Sequence, residues 1–295
     1  MHITLLANAK INLLLDVTGR RADGCHAVEM LMQSIGLCDT VRIASRAETG
    51  IVLTCDDPAI PADQRNIAWK AAEIFFSAVP RLDQGISIAI EKRIPAAAGL
   101  AGGSADGAAV LFGLRALFSP EMGDDRLAAL ALRAGADVPF CLRGGLCFAE
   151  GVGERLTPLT CLPERYALVL AKPAMGIATG PAYARIDALE HPRHPATRQA
   201  LRCVRQEDWE GLFPLCGNLF EQAVPPEIAP TLEAIRAAML VHGAALARMT
   251  GSGPTMFAVF REAARAQACA QALRGMEGAP GVFCCRAQER GIATM

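Results

Sequence analysis

Short alternating runs of apolar and polar residues open the chain. They predict strands over residues 3–6, 11–17, 40–44 and 51–55, with turns at 18–24 and 48–50. Residues 26–37 mix the two periods and fit a strand or a helix. Beyond them the spacing changes to 3.6: Ile67, Ala71, Ile74 and Phe75 fall on one helical face behind Asn66, a good N-cap, and Pro80 is expected to end that helix. Residues 85–91 (GISIAIE) alternate as a strand. A glycine-rich stretch follows, and then a helix that turns Leu111, Leu114 and Phe118 inward. A second helix over 125–134 is stopped by Gly135. The pattern after it suggests a hairpin running from 136–142 through Gly144-Gly145 to 146–150.

The polar, proline-flanked stretch 158–164 reads as a lobe boundary, giving domains at 1–160 and 161–295. Past it the expected elements are a strand at 166–171, a helix near 181–188, and a polar loop carrying His191 and His194. Helices around 207–213 and 226–242 come next. The end reads as strand 244–249, turn Gly251-Ser252-Gly253, strand 255–260, helix 262–274 and strand 282–287. The fold class is mixed α+β, with two lobes and the second built as an α+β sandwich.

Composition narrows what such a protein can bind. With 295 residues and 52% hydrophobic content it can bury one large core or two ordinary ones. A formal net charge of −1, without long like-charge runs, offers no footprint for nucleic acid or an anionic membrane, so the expected partner is a small molecule. The eleven cysteines show no CxxC pair and read as reduced thiols of a cytoplasmic protein. The apolar start is interrupted by Asn8, Lys10 and Asn12 and does not read as a signal peptide, and no apolar run is long enough to span a bilayer.

The chemistry concentrates between Pro95 and Ala109. Gly99, Gly102, Gly103 and Gly107 surround Ser104 where a strand gives way to a helix. Glycines there admit left-handed backbone and close approach of a ligand, and a helix start presents unpaired N–H groups and partial positive charge, so the segment is an anion cradle. It is neither GxxxxGK[ST] nor GxGxxG: Gly151-Val152-Gly153 is followed by Glu154, and Gly251-Ser252-Gly253 by Pro254. His191 and His194 have no third ligand nearby and predict a solvated loop, not a metal centre.

The pattern PxxxGLxGGSxD, with an early AKIN and a late GSGPT, resembles the superfamily of galactokinase, homoserine kinase, mevalonate kinase and phosphomevalonate kinase. Five stretches resemble the diphosphocytidyl-methylerythritol kinases within it: ANAKINLLLDVTGRRADGCH, RNIAWKAAEIF, IEKRIPAAAGLAGGSADGAA, GADVPFCLRGGLCFAEGVGERL and MTGSGPTMFAVF. The resemblance implies a two-lobed kinase fold with an N-terminal nucleotide-binding lobe and the active site in the cleft. It also implies transfer of the ATP γ-phosphate to the 2-hydroxyl of 4-diphosphocytidyl-2-C-methyl-D-erythritol, in non-mevalonate isoprenoid synthesis.

By the same resemblance Lys10 and Asp137 are the catalytic pair. Asn66, Lys92, Pro95, Gly99, Leu100, Ala101, Gly102, Gly103 and Ser104 surround ATP. Asn12, Asp23, His26, Tyr183, Gly251 and Ser252 meet the cytidine-bearing substrate, His26 bonding the cytosine and Tyr183 stacking on it. Mg²⁺ would come with ATP, near Ser104, without a dedicated carboxylate site. Cys25 stands where the family usually carries a tyrosine, and its loss removes a stacking contact of about 1 kcal/mol. Two other readings stay open: a superfamily kinase for another small alcohol, and a non-catalytic nucleotide sensor. Either a monomer or a homodimer is compatible with the sequence.

Overall fold

The computed structural model describes residues 1–79, 85–278 and 281–295; the expected helix stop at Pro80 lies outside them. Two long strands, β1 (His2–Arg20) and β2 (His26–Arg46), pair antiparallel along nearly their whole length. The polar interruptions that divide the start of the sequence into two predicted strands do not end β1. Pairing with β2 slips between Asn8 and Ala9 and again between Asn12 and Leu14, and such bulges re-aim side chains while the strand continues. Positions 7–17 are buried without a break. A strand covered on both faces loses its two-residue alternation, which is also why 26–37 has no clear period although it belongs to β2.

The first sheet adds β3 (Ile51–Cys55), β4 (Gly85–Glu91), β5 (Leu146–Glu150), β6 (Arg155–Leu159) and a C-terminal strand, β11 (Ile292–Thr294). Its order is β11-β1-β2-β4-β3, with β5 paired to β2 and to β6. Four helices pack with it: α1 (Ile67–Ala78), α2 (Gly102–Phe118), α3 (Asp124–Ala134) and α4 (Val138–Arg143). Leu111 and Leu114 of α2 are fully buried, and Phe118 packs at the core margin.

The hairpin expected around Gly144-Gly145 is absent. Residues 138–143 form α4, Gly144 ends it at φ +76°, and β5 pairs instead with β6. Gly144 is needed for a second reason: a Cβ there would lie 1.8 Å from the backbone N of Gly291, where the tail crosses α4 on its way to β11.

The second sheet is antiparallel, in the order β10-β7-β9-β8, from β7 (Ala167–Lys172), β8 (Leu246–Met249), β9 (Met256–Phe260) and β10 (Gly281–Cys285). α8 (Ala229–Val241) and α9 (Ala263–Arg274) pack against it. Between β7 and α8 lie α5 (Thr179–Asp187), α6 (Thr197–Arg205) and the single turn α7 (Trp209–Leu212). The sequence reading omits α6. Its only buried positions are Thr197, Ala200 and Val204, too few and too small to mark an apolar face.

Candidate active site

A cavity of about 640 Å³ opens between the two lobes, lined on one side by residues from 10 to 152 and on the other by residues from 177 to 252. Its floor is the segment joining β4 to α2. Three residues there take left-handed backbone within five positions: Ala97 (φ 48°), Gly99 (φ 73°) and Ala101 (φ 58°). Alternation of that kind turns successive N–H groups toward one side. Ala101, the residue before the helix, has no polar side chain, so the first turn of α2 is uncapped. An anion in the cavity would take the bonds a cap usually takes.

Gly99 has a further constraint from the other lobe. A Cβ on it would come within 2.4 Å of the Thr250 carbonyl oxygen. Gly99→Ala is therefore expected to cost about 2 kcal/mol or more through strain and backbone clash. The result should be a lower urea midpoint at unchanged slope, with weaker nucleotide binding.

The turn that meets Gly99 is held from both lobes. Asn12, 1% exposed, accepts at Oδ1 from the Gly251 N–H (3.0 Å) and from Lys10 Nζ (2.7 Å), while its own N–H donates to Thr250 Oγ1 (2.9 Å). Asn218 donates through Nδ2 to the carbonyls of Met249 and Gly251, both at 2.8 Å. A buried amide with its bonds satisfied fixes geometry more firmly than an apolar contact does.

Lys10 is almost fully buried, and its ammonium lies 3.9 Å from Asp137 Oδ2, a carboxylate about one-third exposed. Asp137 is the residue before α4. Both line the cavity, as do Asn66, Lys92, Pro95, the run from Gly99 to Ser104, Tyr183, Gly251 and Ser252. Asn66 also caps α1, accepting from the Ala68 N–H at 2.9 Å and donating to the Pro61 carbonyl at 2.8 Å.

Three of the residues expected at the substrate do not line the cavity. Asn12 forms the lobe-to-lobe contact above. Asp23 is exposed in the β1–β2 turn, where Arg21 and the Cys25 N–H hold its carboxyl below the usual range. His26 is stacked on Tyr183, ring centroids 4.4 Å apart and planes 19° apart, and its Nε2 lies 2.7 Å from Asp187 Oδ1. Tyr183 meets Phe220 edge-on at 5.0 Å, and burial pushes its hydroxyl up to about 12. Cys25 is exposed, so His26, and not the residue before it, provides the second ring against Tyr183.

Two carboxylates receive no role from the sequence reading, although Asp106 closes the motif PxxxGLxGGSxD. Asp39, fully buried on β2, accepts at Oδ1 from the N–H groups of Arg93 (2.6 Å) and Ile94 (2.8 Å) and at Oδ2 from Lys92 Nζ. Lys92 Nζ also donates to Asp106 Oδ2 on α2, at 2.8 Å. Burial alone would favour a neutral Lys92, but the two carboxylates outweigh it and the ammonium is held above its ordinary value. The cluster ties β2, the start of the loop and the second turn of α2 together beneath the glycine segment. The legible signal was an aspartate inside an otherwise apolar helical run, GGSADGAAVL.

Two lobes, an uncapped helix mouth and a lysine–carboxylate pair lining the same cavity are features of a small-molecule kinase site of the GHMP class. Residues 66–145 match the N-terminal domain of the GHMP kinases and residues 200–277 their C-terminal domain. A 4-diphosphocytidyl-2-C-methyl-D-erythritol kinase of Clostridium tetani is 42% identical over 263 residues, covering 89% of this chain and 92% of that protein. One from Clostridium botulinum is 38% identical over 268 residues, covering 91% and 94%. A crystal structure of 4-(cytidine 5′-diphospho)-2C-methyl-D-erythritol kinase superposes with a TM-score of 0.78 at 32% identity, covering 97% of this chain and 99% of that one. Homoserine kinase from Cytophaga hutchinsonii shares the fold, with a TM-score of 0.77 at 20% identity over 100% of this chain and 97% of its own. The chain belongs to the GHMP kinases and, within them, to the 4-diphosphocytidyl-2-C-methyl-D-erythritol kinase family.

Proposed function

We propose that this protein transfers the γ-phosphoryl group of ATP to the 2-hydroxyl of 4-diphosphocytidyl-2-C-methyl-D-erythritol, a step of non-mevalonate isoprenoid synthesis in the cytoplasm. The observation that carries the reading is the Lys10–Asp137 pair at 3.9 Å, lining the same cavity as the uncapped start of α2.

The polyphosphate lies against the N–H groups of residues 99–104, where partial positive charge offsets it. Asp137 Oδ2 accepts the proton of the attacking hydroxyl. Lys10 Nζ, held in place by Asn12, stabilises charge on the phosphoryl group in transfer. Mg²⁺ bound with ATP would supply neutralisation of phosphate charge, held by the nucleotide and water with the Ser104 hydroxyl as the protein donor; among the described residues no three acidic, histidine or cysteine side chains group as a metal site. Tyr183, which lines the cavity with His26 stacked against it and Phe220 at its edge, is the aromatic wall for the cytosine. All eleven cysteines are free, which suits a reducing compartment.

Purified protein given ATP and 4-diphosphocytidyl-2-C-methyl-D-erythritol should form ADP far faster than with ATP alone. A rate no greater than the water reaction would overturn the reading. Free CDP should compete with the alcohol and leave ATP binding unaffected. A kinase for a small alcohol that carries no nucleotide, such as homoserine, would ignore it.

A further inference from the structure

Beneath the phosphate cradle two buried carboxylates share one ammonium. Asp39 has both oxygens filled, by Arg93 N–H and Ile94 N–H on one and Lys92 on the other. Asp106 has only one oxygen filled. Its Oδ2 accepts from Lys92, while Oδ1 is buried with no partner, on a side chain that is 2% exposed and lines the nucleotide cavity. An ionised Asp106 would leave an uncompensated negative charge in the interior, close to where the polyphosphate must lie. That arrangement disfavours both the charge and the ligand.

We infer that Asp106 is a further nucleotide-binding residue and that it binds ATP as a neutral acid, its Oδ1–H donating to an oxygen of the nucleotide. The proton comes from solvent: carboxylate and free nucleotide go to carboxylic acid and bound nucleotide with uptake of one H⁺. The orphaned oxygen then gains a partner, and the cluster of Asp39, Lys92 and Asp106 becomes neutral under the phosphates. Burial, with Asp39 adding to it and Lys92 opposing, already pushes the Asp106 carboxyl up to about 7 before any anion arrives.

The charged and titratable groups around it act in both directions. Asp39 comes from β2 and Lys92 from the end of β4, and Asp56, just past β3, accepts from the Lys92 N–H. Cys55 and Cys141, from β3 and α4, are both held in the neutral thiol form by burial. Lys10 and Asp137 act on Cys141 as a pair of opposite charge. Among the described residues Lys92 is the one positive group paired with Asp106, and Asp39 already occupies it.

The inference rests on ATP binding in this cavity and not on which alcohol is phosphorylated. MgATP is titrated calorimetrically into the full-length wild type and Asp106→Asn at pH 8.0, in two buffers of different ionisation enthalpy and without the second substrate. The wild type is expected to take up on the order of one proton per nucleotide and to lose affinity about tenfold per pH unit above pH 8. Asp106→Asn, which keeps a donor and the shape, should take up none and bind with a flat pH dependence. Equal uptake by both proteins, or binding by the wild type without uptake, would overturn the inference while leaving the kinase reading intact. Failure of the wild type to bind MgATP would sink both. Should the variant not fold, infrared difference spectra of the wild type alone decide: nucleotide binding should create a protonated-carboxyl band, and its absence refutes the inference.

Discussion

Replacing Asp137 by asparagine is expected to lower turnover about a thousandfold while the protein keeps its fold and its affinity for ATP. Asparagine has the same shape but cannot take the proton of the attacking hydroxyl, and a positioned base contributes roughly 10²–10⁴ in rate. The side chain is about one-third exposed and caps nothing through hydrogen bonds, so its charge is not needed for folding. Its neighbour Lys10 keeps Asn12 as a partner in the variant. Steady-state kinetics with both substrates varied separate the effects: kcat should fall and the KM for ATP should stay within a few-fold. A variant with more than a tenth of wild-type kcat would show that Asp137 is not the base.

Lys10→Met should be nearly as damaging, by about 10²–10³ in kcat, the usual cost of removing one preorganised group from a developing charge. Here the structure requires a control. Lys10 is buried, and its ammonium fills one of the bonds at Asn12 Oδ1, the atom that also accepts from Gly251 across the lobes. Methionine keeps the apolar stem, and the Gly251 N–H remains to satisfy Asn12, so the lobe contact should persist. The expected signature is a large loss of kcat with a melting temperature displaced by no more than a few degrees. A large fall in melting temperature with near-normal kcat would mean that the lysine is there to hold the lobes together.

Both residues were legible before any coordinates because their motifs were, and the same holds for the glycine segment. Strand and helix start are dictated by neighbouring residues, through alternation over 85–91 and an apolar face beyond the loop, and Gly99 supplies one of the three positive φ values there, while those at Ala97 and Ala101 carry no glycine to announce them. Asn66 is a similar case, since an N-cap needs only its own side chain and the next two amides.

Features that depend on distant chain were not legible. β1 looked like two strands because Asn8, Lys10 and Asn12 are polar, and their burial needs partners at 290, 137 and 250–251. Gly144-Gly145 looked like a hairpin turn until the crossing of Gly291 gave the first glycine another reason to be there. Cys25 stands where the resemblance expects an aromatic ring, but the stacking of His26 on Tyr183 joins positions 157 residues apart and no local pattern encodes it.

The sequence by itself determined the Asn66 cap, the glycine segment before α2 and the small-molecule partner class, because each follows from residues within a few positions or from total charge. The tertiary structure alone decided that Asp39 and Asp106 meet at one lysine, 53 and 14 residues away from it in the chain. Burial sets the cost of a charge there, and burial is a property of the packed molecule, so the state of that carboxylate could not be read from the residues beside it.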